Sequence, residues 1–126
     1  MQSFEELSLS EPISRAVAEL GYTTPSPVQA QALPILLGDP TDFIGQAATG
    51  TGKTAAFAIP LLERVDRSKK GVQALILCPT RELAVQVTRE IRRLGRKVPS
   101  LNVAALIGGQ PMGEQIRGLE RGAHIV

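Results

Sequence analysis

Eight consecutive residues, Ala47-Ala48-Thr49-Gly50-Thr51-Gly52-Lys53-Thr54, constrain this chain more than any other stretch of it. Gly50 and Gly52 lack Cβ, so the backbone can turn tightly and bring its N–H groups up to an anion. Lys53 supplies a point charge suited to β- and γ-phosphates, and Thr54 a hydroxyl that can ligate Mg2+. The residues that follow, Ala55 to Leu62, are apolar and read as helical. That puts the loop at a helix N-terminus, where unpaired N–H groups and the macrodipole favour phosphate. The general pattern G-x-x-x-x-G-K-[ST] asks for glycine where this chain has Ala47. The bland alternative is a glycine-rich turn that binds nothing. A strand before the loop and a helix after it argue against that.

Length and composition narrow the setting. A chain of 126 residues is one domain at most. No run approaches the ~20 apolar residues of a membrane span, and the N-terminus has neither a secretory nor a transit pattern. A cytoplasmic protein with no membrane partner is the expectation. The single cysteine, Cys78, excludes an internal disulfide and fits a reducing compartment. It closes an apolar run and reads as an inert buried thiol. One cysteine and one histidine make a zinc site a poor expectation, and His124, near a strand end, reads as structural. A formal charge of +2 does not by itself diagnose a nucleic-acid binder. Its distribution says more: Arg81, Arg89, Arg92, Arg93, Arg96 and Lys97 fall in one predicted helix and its end, against only Glu82 and Glu90. For Arg92 to Lys97 the simpler reading is a solvated helix end, where the dipole favours cations.

Along the chain, helix and strand signals alternate. Ser10 and Pro12 open a helix whose apolar positions are Ile13, Ala16, Val17 and Leu20, and Gly21 closes it. After a proline-rich connection, Ser26 and Pro27 open a second helix that stops at Gly38. Phe43 to Gln46 reads as a short strand entering the glycine loop. A helix from about Gly52 to Val65 follows, with Pro60 inside it. Ala74-Leu75-Ile76-Leu77-Cys78 is continuously apolar, as in a strand covered on both faces. Thr80 can cap the next helix, with Leu83, Val87, Ile91 and Leu94 as its apolar stripe. Val103 to Ile107 reads as a strand. Met112, Ile116 and Leu119 mark a short helix weakened by Gly113 and Gly118, and Ala123 to Val126 begins a further strand. The class is therefore α/β, with a mostly parallel sheet and helices on both faces.

Four separated segments resemble one family. Gly21-Tyr22-Thr23-Thr24-Pro25-Ser26-Pro27-Val28-Gln29 resembles the Q motif of DEAD-box RNA helicases, and Phe4 lies seventeen residues upstream of Gly21, where that family places an isolated aromatic. Ala47–Thr54 matches the family's phosphate loop, which begins with alanine. Pro79-Thr80-Arg81-Glu82-Leu83-Ala84 matches its motif Ia, and Gly108-Gly109 its GG element. The resemblance covers residues 1–126 as part of a RecA-like ATP-binding domain, with residues 2–30 as the Q-motif region and 47–54 as the phosphate loop. It implies an ATP-dependent RNA helicase that uses ATP and Mg2+ and unwinds RNA duplexes.

The implied roles suit the side chains. Gln29 carries an amide able to read the N6/N7 edge of adenine, Tyr22 a flat face for stacking, and Phe4 support for the segment beside the nucleotide. Ala48, Thr49, Gly50, Thr51, Gly52, Lys53 and Thr54 would hold the phosphates. Lys53 and Thr54 would serve catalysis, Thr54 as the Mg2+ ligand. Pro79, Thr80, Arg81, Gly108 and Gly109 would contact the RNA backbone, which fixes position and carries little base information.

Within these 126 residues there is no Asp-Glu-Ala-Asp, no Ser-Ala-Thr element and no second RecA-like domain. The resemblance thus implies an amino-terminal portion, expected to be inactive in hydrolysis and unwinding by itself. A bare nucleotide-binding module and a structural fragment without a site stay open as alternatives. In the family fold, the strand before the phosphate loop is flanked by strands that come later in sequence. Phe43–Gln46 is therefore expected to lack partners and the chain to self-associate through exposed strand edges.

Overall fold

The structure of the protein is a computed structural model covering residues 1–126. A 3-10 turn at Phe4–Glu6 precedes five helices: α1 Glu11–Glu19, α2 Pro27–Leu36, α3 Lys53–Arg64, α4 Arg81–Leu94 and α5 Met112–Glu120. Their ends follow local chemistry. The Ser26 hydroxyl accepts from Gln29 N–H at 3.4 Å and the Gln29 side chain accepts from Ser26 N–H at 2.9 Å, a reciprocal capping box at the start of α2. Thr80 Oγ1 accepts from Leu83 N–H at 3.2 Å and caps α4. At the end of α1 the chain turns through Gly21, and Tyr22 N–H reaches back to the Val17 carbonyl at 3.1 Å. Ser10 starts α1 without capping it. Its N–H and hydroxyl go instead to the Glu63 carboxylate, at 3.1 and 2.6 Å, fastening α1 to the end of α3.

Helix α3 is the centre of the packing. It lies against α2 on one side and α4 on the other, and α1 crosses both α3 and α4. Their shared core contains Ile13, Val17, Leu33, Ala58, Ile59, Leu62, Ile91, Leu94 and Ile125, all buried. Each large side chain fully withdrawn from water here contributes about 1.5–3 kcal/mol.

The sheet is reduced to a parallel association of three segments. Ile125 bridges Ala74 on one side and Val103 on the other. Ala74 N–H donates to the His124 carbonyl (3.2 Å), Ile76 N–H to that of Val126 (2.8 Å) and Ala104 N–H to that of Ile125 (2.9 Å). The order is thus 74–78, 123–126, 103–107. Helix α4 crosses from the first segment to the third and α5 returns from the third to the middle one. The right-handed rule for such crossovers puts α4 and α5 on opposite faces.

Two expectations about strands are corrected. Phe43–Gln46 is not a strand: none of its backbone groups makes a hydrogen bond, and Ile44 is 99% exposed. Extended backbone becomes a strand only when a neighbour supplies partners, and none lies beside it here. Ala74–Cys78 is not covered on both faces. Ala74, Ile76 and Cys78 pack on the core, whereas Leu75 and Leu77 are 67% and 85% exposed. Cys78 is accordingly half-buried rather than fully enclosed. His124 is buried, with Nδ1 accepting from Asn102 N–H at 3.1 Å. No helix is long and apolar enough to cross a membrane.

Candidate functional site

The glycine loop turns at Thr49–Gly52 and delivers the chain into α3. Gly52 occupies the left-handed region at φ +85°, as does Gly50 at +79°. Inside the loop, Lys53 Nζ donates to the Ala47 carbonyl at 2.6 Å and Thr51 Oγ1 to the Ala48 carbonyl at 2.5 Å. The N–H groups of Gly50 to Ala55 donate to no protein acceptor. These unspent donors, an exposed ammonium reaching across the loop and the N-terminus of a twelve-residue helix form a cradle whose donor set fits a phosphate chain. Thr54 is half-buried at the first turn of α3. No cluster of three or more His, Cys, Asp or Glu side chains gathers to hold a metal ion.

Gln29 reaches this loop from α2. It is buried, and its amide Nε2 donates to the Gly52 carbonyl at 3.2 Å while Oε1 accepts from Ser26 N–H. The packing is close. A Cβ at Gly52 would fall on the Gln29 amide nitrogen and lie 3.0 Å from its Cδ and 3.3 Å from Ser26 Oγ. Glycine is required there by both backbone angle and space. Sequence reasoning placed Gln29 beside a base and missed that it also locks the α2 cap to the phosphate loop. The S-x-x-Q spacing of Ser26 and Gln29 was the available signal.

The aromatic pair packs on the core. The Phe4 ring stacks on Tyr22, centroids 6.0 Å apart at 25°. The Tyr22 hydroxyl donates a short hydrogen bond to Glu90 of α4. Burial first, and then the bond to Glu90 and its charge, push the Tyr22 phenol up to about 12. In this arrangement Tyr22 joins the segment before α2 to the middle of α4. Nothing in the sequence flagged Glu90 as its partner.

A second locus lies at the start of α4. Arg81 Nη1 donates to the Gly108 carbonyl at 3.1 Å, so Pro79-Thr80-Arg81 and Gly108-Gly109 form one exposed surface. A Cβ at Gly109, itself at φ +82°, would lie 2.5 Å from Arg81 Nη1. Gln115 of α5 holds the base of this turn, accepting from Ile107 N–H (3.1 Å) and donating to its carbonyl (2.9 Å). The Thr80 hydroxyl accepts the α4 cap and keeps its proton for another acceptor.

Residues 26–126 match the family described as DEAD/DEAH box helicase. The chain is 44% identical over all of its 126 residues to the DEAD-box ATP-dependent RNA helicase CshA of Geobacillus kaustophilus, and 47% identical over 124 residues to the ATP-dependent RNA helicase DeaD of Klebsiella pneumoniae. It spans 27% and 19% of the length of those relatives. Among solved structures, a DEAD box protein from Methanococcus jannaschii superimposes with a TM-score of 0.92 at 40% identity, over 100% of this chain and 34% of the other. The RNA-helicase Prp28 of Chaetomium thermophilum bound to ADP gives 0.88 at 40% identity, over 99% and 31%. The fold is therefore part of a RecA-like α/β domain, and the chain belongs to the DEAD/DEAH box helicase family.

Proposed function

We propose that this chain is the ATP-binding portion of an ATP-dependent RNA helicase that unwinds RNA duplexes in the cytoplasm. The observation that carries the reading is the Gln29–Gly52 hydrogen bond, which joins an amide suited to an adenine edge to the loop that would hold the phosphates. In this reading Ala48 to Thr54 cradle the triphosphate, Lys53 leaves the Ala47 carbonyl for it, and Tyr22, supported by Phe4, flanks the base. Thr54 would ligate Mg2+, which would supply positive charge to offset that of the phosphates. Pro79, Thr80, Arg81, Gly108 and Gly109 hold a sugar–phosphate backbone by position rather than by base.

Phosphoryl transfer depends on charges placed around the γ-phosphate, and carboxylates to hold metal and water are not gathered in this chain. The 126 residues alone are therefore read as binding ATP without turning it over or unwinding RNA. The unpaired backbone at Phe43–Gln46 and the exposed Leu75 and Leu77 favour self-association of this chain. A phosphate-release assay with and without RNA, run beside calorimetric titration with ATP, tests the reading. ATP binding without RNA-stimulated release is expected. RNA-stimulated release by these 126 residues overturns their inactivity, and absence of ATP binding overturns the nucleotide site.

A further inference from the structure

A cavity lies away from the phosphate loop. It is an open groove of about 530 Å3 between the outer face of α4 and the 105–110 segment. Arg89, Arg92, Arg93 and Arg96 line it along with Thr88 and Gln110, and no carboxylate does. From Val85 to Leu94 the α4 wall runs about 14 Å, and Arg96 follows just beyond its end.

We propose that this groove extends the RNA surface, so that a strand leaving Arg81 and Gly108-Gly109 runs along α4 with its phosphates on the arginines. The proposal rests on the RNA reading of Pro79–Ala84 given above. Three observations carry it. The groove is continuous with that surface: Ile107 and Gln110 line it and flank Gly108-Gly109, which Arg81 touches. Its cations are held at separate stations. Arg92 Nη2 donates to the Val103 carbonyl at 2.7 Å, Arg93 lies 3.4 Å from Glu90, Arg96 lies 3.5 Å from Glu19, and Arg89 makes no hydrogen bond or ion pair. Arg89 is thus the cation with nothing to give up on binding an anion. Finally, the Arg92 bond occupies the backbone edge at Val103, where an added peptide strand would have to pair. A phosphate backbone asks only for guanidinium groups. An acidic peptide is the rival occupant.

Fluorescence anisotropy with labelled oligouridines of about five and about ten nucleotides separates the cases. Arg89→Glu is expected to weaken the longer oligomer about tenfold and to leave the shorter one unchanged, Arg89→Lys to restore it, and Arg81→Ala to weaken both. The salt slope for the longer oligomer should fall by about 0.7 for each phosphate that the variant no longer neutralises. Arg89 is exposed and unpartnered, and an unchanged circular dichroism melt shows that its variants fold. Unchanged binding of the longer oligomer to Arg89→Glu, with Arg81→Ala still weakening both, overturns the extension alone. Wild-type chain that binds neither oligomer overturns the RNA reading and the extension with it. A poly-glutamate peptide that binds the wild type but not Arg89→Glu, while RNA affinity is unaffected, assigns the groove to acidic peptides and overturns the proposal.

Discussion

Replacing Gly52 by alanine tests how the phosphate loop is fastened to α2. At φ +85° an L-residue carries about 1–2 kcal/mol of strain. The new Cβ would also fall on the Gln29 amide, which must then leave the Gly52 carbonyl and its 2.9 Å partner, Ser26 N–H. Losing those bonds costs about 1–1.5 kcal/mol more, for a total near 3 kcal/mol. Gln29→Ala alone loses the same bonds and costs about 1.5 kcal/mol. In the double variant the steric conflict is gone and the bonds are removed only once, so about 3 kcal/mol is expected instead of the additive sum of about 4.5. Urea denaturation followed by circular dichroism, with m-values compared across the four proteins, measures this cycle. Strict additivity, or a Gly52→Ala variant as stable as wild type, would refute the claim that Gln29 and Gly52 are packed as one unit.

Gln29→Ala should also abolish a preference for ATP over GTP while leaving triphosphate binding in place; competition titrations check this, and equal affinity of the unmutated chain for the two nucleotides would count against base reading by Gln29. Tyr22 has a folded pKa of about 12 against an unfolded value near 10, so its contribution is complete below pH ~10 and is lost as pH rises towards 12. Tyr22 is only half-buried, and screening leaves about 1 kcal/mol of that shift; Tyr22→Phe should remove the alkaline limb of a stability–pH curve, and an unchanged limb would contradict the Glu90 pairing. Leu77→Glu should shift the chain towards monomer in light scattering, because Leu77 stands on the uncovered sheet face; a monomeric wild type would remove the premise.

Helix boundaries were legible where their chemistry is local. The Ser26 and Thr80 caps, the Gly21 turn and the apolar stripe of α4 each lie within a few residues of the feature that they determine. Even α5 forms over Met112–Glu120 despite Gly113 and Gly118, anchored at Gln115 by a hydrogen bond to a residue eight positions away. The extents of Phe43–Gln46 and Ala74–Cys78 were misjudged for the opposite reason. A strand is completed by a neighbour, and an apolar run such as Leu75-Ile76-Leu77 does not reveal whether one lies on each face. Residue identity pointed to the phosphate loop and to Arg81 with Gly108-Gly109. The pairings Gln29–Gly52, Tyr22–Glu90 and Arg92–Val103 join residues 23, 68 and 11 positions apart and became visible only in three dimensions.

Calorimetry of ATP binding to wild type and Lys53→Ala asks whether Ala47–Thr54 holds the phosphates of ATP. Lys53 is exposed, and its ammonium is held only by the Ala47 carbonyl, so its removal should leave the core intact. Without its charge-assisted hydrogen bond to phosphate, binding should weaken by about 2–3 kcal/mol, on the order of 30- to 150-fold. Equal affinity of the two proteins for ATP would show that Lys53 does not touch phosphate and that the loop does not hold ATP in this way.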